Sequence, residues 1–288
     1  MGHDLEPLLR ELRRNPPSNG GVEGFWSGLG PDQWPSLFEL LTVAADLPRL
    51  GESPTLKTLS PDLWPQLSSV TEDLARVQTL VDQPILPPGT EVVPSRSLRT
   101  ALDDATTELQ DTHCVTVEDL LDAQQRAALD ARIDALKTTR MDFWGQLDRD
   151  EEPALFELFD AVLGGHAFRK LTGFDLERDE YSLTLALQDL QSEGIGWHRD
   201  LYWPKEWVGQ DVFPILYGLT DDSPHKGGAF VYYVPWHNAL YATYRQRHQA
   251  TVMWNSRDTP GRLLHAVTGY HGADTSRHLL ILQCLRRG

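Results

Sequence analysis

Two hydrophobic periods divide the chain. Upstream of Tyr181 the apolar positions recur at helical spacing, whereas from Tyr181 onward they fall in short β-branched and aromatic runs. The spacing predicts helices over much of residues 1–80, and then helix, a short strand near Cys114-Val115-Thr116, and a second helix over Ala123–Leu136 within 99–139. A further helix is expected over Ala154–Leu163. The later runs, Tyr181–Leu190, Val212–Leu219, Ala229–Val234, Arg262–Val267 and Arg277–Leu285, are separated by Gly, Asp and Pro turns with no amphipathic helix between them. That pattern predicts an antiparallel sandwich or jelly roll packed on helices from the first half.

A faint repeat lies in the helical part. Pro31-Asp-Gln-Trp-Pro-Ser-Leu37 returns as Pro61-Asp-Leu-Trp-Pro-Gln-Leu67, a period of 30. In each copy Asp32 or Asp62 can cap a helix whose early proline, Pro35 or Pro65, sits where a missing N–H is tolerated. The two copies read as a pair of helical hairpins with Trp34 and Trp64 as packing anchors, too few for a solenoid. Residues 81–98 carry four prolines and a Pro-Gly turn, the strongest linker signal in the chain. We therefore expect a helical N-terminal region over 1–95 and a second domain over 96–288.

Charge sharpens this division. The 288 residues hold 26 Lys and Arg against 42 Asp and Glu, a formal net charge of −16. A cationic footprint for nucleic acid or an anionic membrane is missing. The acidity sits upstream: residues 1–180 hold 16 basic and 33 acidic side chains, residues 181–288 hold 10 and 9. The acidic part reads as a solvated scaffold, and the near-neutral β-region as the place where an anion can be admitted. No stretch approaches the roughly 20 apolar residues of a membrane-spanning helix. The start, Met1-Gly-His-Asp-Leu-Glu6, has neither a secretory pattern nor a myristoylation site, and Cys114 and Cys284 stand in apolar contexts far apart. We expect buried thiols and a cytoplasmic protein.

The chemistry-bearing residues lie in the β-region. His198-Arg-Asp200 follows the first apolar run, inside Gly194-Ile-Gly-Trp-His-Arg-Asp-Leu-Tyr202. On an extended segment a His and a carboxylate two residues apart share one side, and a second His from a neighbouring strand would complete one face of an octahedral ferrous ion. His265 comes 67 residues later in Gly261-Arg-Leu-Leu-His-Ala-Val-Thr268, and Arg277 follows by 12 at the start of the last apolar run. Arg offers a planar fork matched to a carboxylate. His271, in a Gly-rich loop, is the main rival to His265, which is framed by a strand pattern. His225, His237 and His248 sit in turn-like or polar settings, and His278 reads as structural.

One His-x-Asp, one distant His and an Arg a short loop beyond it resemble the Fe(II)/2-oxoglutarate-dependent oxygenase superfamily, in its prolyl-hydroxylase and phytanoyl-CoA-dioxygenase-like branches. The resemblance covers about residues 100–288 and leaves the first 95 residues unaccounted for. It implies an α+β fold, a double-stranded β-helix (jelly roll) flanked by helices, with an N-terminal helical extension. It further implies that His198, Asp200 and His265 are the catalytic Fe(II) ligands, that Arg277 grips the distal carboxylate of 2-oxoglutarate, and that O2 is the second co-substrate. Two departures stand out: Leu279 where an Arg-x-Ser variant has Ser, and Pro235-Trp-His237 where phytanoyl-type relatives have Pro-Gly-Ser-His.

The implied reaction is oxidation, most simply hydroxylation, of an unactivated C–H, with succinate and CO2 as co-products. Asp200 fills the position that related radical halogenases leave small for chloride, so halogenation is disfavoured; desaturation and ring closure stay open. Trp197, Arg199 and Tyr217 are the named candidates for substrate contact, with Arg262 and Lys205 as further carboxylate holders. A small amino-acid-like metabolite fits this mixture. Open alternatives are a peptidyl or carrier-tethered residue docked by the first 95 residues, and a non-catalytic jelly roll that binds metal or sugar.

Overall fold

Local sequence explains the helices that pack behind the main sheet. In the computed structural model, residues 86–87, 89–139, 144–174, 181–188, 194–198, 211–255, 263–269 and 277–286 are described; the repeat-bearing helices expected within 1–80 lie outside them. In chain order the elements are β1 (Glu91–Val92), β2 (Arg96–Ser97), α1 (Leu102–Thr112), β3 (Cys114–Glu118), α2 (Ala123–Thr139), β4 (Trp144–Gln146), α3 (Pro153–Leu163), α4 (His166–Thr172), β5 (Tyr181–Gln188), β6 (Ile195–His198), β7 (Asp211–Gly218), β8 (Phe230–Val234), β9 (Ala239–Thr243), β10 (Ala250–Met253), β11 (Leu264–Val267) and β12 (Arg277–Arg286).

Helix α2 opens on a reciprocal capping box: the Gln125 N–H donates to Asp122 Oδ1 and the Asp122 N–H to Gln125 Oε1, both at 2.8 Å. It buries Leu129, Ile133 and Leu136, spaced by four and three. Helix α3 starts with Pro153 at its first turn and buries Leu155, Phe156, Phe159, Val162 and Leu163. Arg132 of α2 grips Glu152, just ahead of α3, with Nε–Oε2 at 2.6 Å and Nη2–Oε1 at 2.7 Å. Helix α4 ends at Gly173, whose φ of 74° is the left-handed stop a glycine adopts without strain.

Pairing of the last eight strands defines the architecture. They pair antiparallel as β5 with β12, β6 with β11, β7 with β10 and β8 with β9. A chain that folds back on itself in this nested order, alternating between two sheets, is a double-stranded β-helix. The large sheet runs β2-β3-β10-β7-β12-β5-β4 and the small sheet β1-β9-β8-β11-β6. The expected α+β jelly roll flanked by helices is the fold observed.

Strand alternation assigns the faces. On the large sheet Leu183, Leu185 and Leu187, Phe213, Ile215 and Tyr217, and Leu280, Leu282 and Cys284 join residues of all four helices in one core. Between the sheets a second core gathers Cys114, Phe230, Tyr232, Val234, Met253 and Val267. Both cysteines are free and buried, as the sequence predicts. Upstream of residue 96, Glu91–Val92 already belong to a sheet: β1 runs parallel to β9, with Glu91 opposite Tyr241 and Val92 opposite Ala242.

Candidate metal centre

The candidate site grows from two short strands. β6 and β11 run antiparallel, and His198 and His265 are register partners, which sets their Cα atoms about 4.5–5.5 Å apart. Two positions on, Val267 faces Ile195, so the register slips and Gly196 and Trp197 together span the width of Ala266. A bulge of this kind bends a strand and re-aims its end, and the glycine within it removes one side chain from the bend.

His265 is buried, and its Nδ1–H donates to the Leu263 carbonyl oxygen at 3.0 Å. A carbonyl only accepts, so the proton resides on Nδ1 and the lone pair on Nε2. Its ring stacks on Phe230, with centroids 5.1 Å apart and planes 29° apart. Metal-ligating histidines are oriented by this type of bond from the distal nitrogen, so the chemistry of His265 fits an Fe(II) ligand. Behind it, Leu263 N–H donates to Asn255 Oδ1 at 3.3 Å, and Asn255 exchanges backbone hydrogen bonds with Val212 at 2.8 and 3.0 Å. Asn255 therefore ties the end of β10 and the start of β7 to the residue that orients His265. Nothing in its sequence context, Met253-Trp-Asn-Ser256, points to that role.

Of the other named candidates, Asp200 and Arg199 lie outside the described residues, as do Lys205, Arg262 and His271. Among the described residues no group of three His, Cys, Asp or Glu is gathered at a metal-binding spacing. Arg277 opens β12 opposite Gln188 and belongs to its odd-numbered positions, whereas the even ones, Leu280, Leu282 and Cys284, enter the helix-backed core. Tyr217 sits in that helix-backed core, edge-on to Phe159, with its hydroxyl 3.1 Å from His248 Nδ1. Trp197 is buried one position before His198, and alternation puts it on the other side of the strand. The structure pairs His198 and His265 in register and places Tyr217 in the helix-backed core, away from β6 and β11.

Rival and reactive groups are accounted for locally. His225 is exposed. His237 lies 3.0 Å from the Tyr241 hydroxyl and 3.2 Å from Asp111. His248 lies 3.3 Å from Asp130, and burial holds its pKa below the ordinary histidine value. Burial raises the thiols of Cys114 and Cys284 well above the usual range, which keeps them protonated and unreactive. Arg245 is fully buried near Gly218, where an added Cβ would meet Gln246 O at 2.9 Å and Arg245 Cγ at 3.3 Å. Its guanidinium reaches Asp222 at 3.5 Å, Leu216 O at 3.3 Å and Thr251 Oγ1 at 3.4 Å. No helix among the described residues is long and apolar enough to cross a membrane.

No family model matches this chain. No curated protein matches it either. Among solved structures, an oxidoreductase of the 2OG-Fe(II) oxygenase family from Burkholderia pseudomallei is 19% identical, covering 69% of this chain and 95% of that one with a TM-score of 0.48. A Pseudomonas putida prolyl-4-hydroxylase is 17% identical over 65% of this chain and 100% of that one, with a TM-score of 0.44. The non-heme alpha ketoglutarate dependent epimerase SnoN from nogalamycin biosynthesis is 14% identical over 65% and 84%, with a TM-score of 0.48.

Proposed function

We propose that the protein is an Fe(II)- and 2-oxoglutarate-dependent oxygenase that oxidises, most simply by hydroxylation, an unactivated C–H of a small amino-acid-like metabolite in the cytoplasm. The observation that carries this reading is the register pair of His198 and His265 in a double-stranded β-helix, with His265 buried and its Nδ1–H committed to Leu263 O. Asp200, two residues beyond His198, would supply the third ligand. Iron and 2-oxoglutarate, when bound, supply the O2-dependent oxidation, with succinate and CO2 as co-products.

This chain's own residues do the holding and excluding. His265 presents Nε2 from a rigid strand, because Phe230 stacks against its ring and Leu263 fixes its tautomer. The inter-sheet residues Tyr232, Met253 and Val267 keep water from the wall beside it. Arg277 is the candidate for the distal carboxylate of 2-oxoglutarate. Arg245, fully buried, is held by Asp222 and by two neighbouring oxygens. Arg199 is a candidate for a substrate carboxylate, and the near-neutral β-region admits such anions.

Anaerobic addition of Fe(II) and 2-oxoglutarate tests the reading: a weak visible charge-transfer band should appear, and its absence at saturating metal would overturn the assignment. Replacing Arg277 with Gln should raise the KM for 2-oxoglutarate roughly 10- to 100-fold, the equivalent of losing a charged hydrogen bond worth about 1.5–3 kcal/mol, while Fe(II) affinity measured without 2-oxoglutarate stays within about twofold. Asn255→Leu should weaken Fe(II) binding by less than the roughly tenfold expected on losing a direct partner of the ligand, because Asn255 acts through Leu263, with the band still formed at high metal. Unchanged Fe(II) affinity in Asn255→Leu would remove it from the site.

A further inference from the structure

Strand register draws one line of residues across the small sheet. His265 on β11 has His198 of β6 opposite it on one side and Tyr232 of β8 on the other. Tyr232 in turn lies opposite Tyr241 on β9. Antiparallel register partners share a face with Cβ atoms about 4.5–5.5 Å apart, so the His265 imidazole and the two phenols follow one another from strand to strand. The rings of Tyr232 and Tyr241 stack, with centroids 5.6 Å and planes 26° apart. Tyr232 is fully buried in the inter-sheet core, and Tyr241, partly buried, packs against that core.

The two phenols differ in where a proton can go. The Tyr232 hydroxyl is hydrogen-bonded to Thr112 and to the Cys114 thiol, and a hydroxyl and a protonated thiol are both poor bases. Tyr241 has a base beside it: its hydroxyl lies 3.0 Å from His237 Nδ1, and His237 Nε2 lies 3.2 Å from Asp111 Oδ1. A carboxylate only accepts, so Nε2–H donates to Asp111 and Nδ1 accepts the Tyr241 O–H. The Asp111 side chain is 60% exposed, so this end of the line opens to water. Burial, and then the Glu91 and Asp111 carboxylates, raise the Tyr241 pKa, which keeps the phenol protonated until an electron leaves it. The same two negative charges ease removal of that electron.

We propose that Tyr232 and Tyr241 form a relay that carries an oxidising equivalent from the strands of His198 and His265 to Tyr241, whose phenolic proton passes to His237. The source of that equivalent rests on the oxygenase reading: a site that activates O2 makes a strong oxidant, and without a substrate C–H to meet it the oxidant draws an electron from the protein. The balance is one electron and one proton. The O2-derived oxidant gains an electron from Tyr232, and Tyr241 refills Tyr232. As its electron leaves, Tyr241 gives its O–H proton to His237 Nδ1, which leaves a neutral phenoxyl radical and an imidazolium paired with Asp111. A soluble one-electron reductant, such as a thiolate, returns the electron at the exposed end, and the proton goes back to the phenol oxygen. Tyr232 is a point of transit because its proton has no base to go to, and Tyr241 is where the radical comes to rest.

The test uses the full chain and has one arm without metal. Ile195 of β6 is 37% exposed, and both native cysteines are buried, so a thiol-reactive ruthenium photosensitiser attaches selectively to Ile195→Cys. A flash with a diffusing electron acceptor then injects a hole beside the line. A tyrosyl radical should follow, slower in D2O than in H2O because a proton moves with the electron, and ring-deuterated tyrosine should narrow its electron paramagnetic resonance signal. Tyr241→Phe should lose that radical. Tyr232→Phe should lose it too, although Tyr241 and His237 are intact, and so should His237→Phe, which removes only the base. A radical that survives Tyr241→Phe or Tyr232→Phe, or no radical after the flash, overturns the relay. The second arm mixes Fe(II) and 2-oxoglutarate protein with O2 in the absence of substrate and freezes it at intervals. The same signal should appear, and succinate release with no radical overturns the relay while leaving the oxygenase reading in place. A flash-induced radical in protein that never forms the charge-transfer band supports the relay and counts against that reading instead.

Discussion

His265→Ala should abolish the charge-transfer band of the Fe(II) and 2-oxoglutarate complex and stop substrate-dependent succinate formation. Removing an outer partner of a metal ligand costs roughly 10- to 100-fold in affinity or activity, and removing the ligand itself should exceed that. The imidazole is held on three sides: by the Leu263 carbonyl at Nδ1, by the Phe230 ring, and by its place in β11 opposite His198. An alanine leaves a cavity beside Phe230 and no lone pair for the metal. Asp200→Ala should behave in the same way, whereas His225→Ala, an exposed change, should retain the band. The pH dependence follows from proton competition. A metal binds only the neutral ring, so Fe(II) affinity should fall on acidification and should recover on raising the pH. A His265→Ala protein with a wild-type band would disprove the assigned ligand set, and the rival His271 would be the next to change.

Much of this architecture is legible because periodicity reports burial. Strands β5, β7, β8 and β12 are long or fully buried, and their runs of Leu, Val, Phe and Tyr announce them within one or two residues of the observed ends. β9 and β10 are harder to see: Ala239-Leu-Tyr-Ala-Thr243 and Ala250-Thr-Val-Met253 are short and alanine-containing, and they flank the polar run Arg245-Gln-Arg-His248. That run looks exposed in sequence, yet Arg245 is buried because Gly218 lets it approach β7 closely. Helix α4 is hidden for a similar reason, since seven residues give too few turns for a period to show. At the candidate site, His198 and His265 are legible because a metal reading calls for particular side chains, and the two are register partners in the structure. Asn255 is not, since its contribution is a hydrogen bond to a backbone N–H. Any residue with a suitably placed acceptor could fill that role, so composition carries no mark of it.

Arg245 and Asp222 should dominate the stability of the deep end of the sandwich. Their side chains are 1% and 2% exposed, and their closest approach is 3.5 Å. Asp222→Ala would leave a buried guanidinium with Leu216 O at 3.3 Å and Thr251 Oγ1 at 3.4 Å as its remaining named oxygens. Breaking such a pair by removing one partner costs about 3–5 kcal/mol, because the surviving charge stays desolvated. Replacing both partners by apolar side chains of similar volume is often neutral, because no charge remains to be desolvated. The expected series in urea is therefore uneven: Asp222→Ala lowers the unfolding midpoint sharply, and Arg245→Met does so as well because the Asp222 carboxylate stays buried without its guanidinium. The double variant Arg245→Met/Asp222→Leu recovers most of the loss. The slope against urea should stay constant throughout, since the surface exposed on unfolding hardly changes. A double-mutant cycle closed with the single variant Asp222→Leu isolates the coupling. Additive losses, with no recovery in the double variant, would show that the guanidinium is held mainly by Leu216 and Thr251.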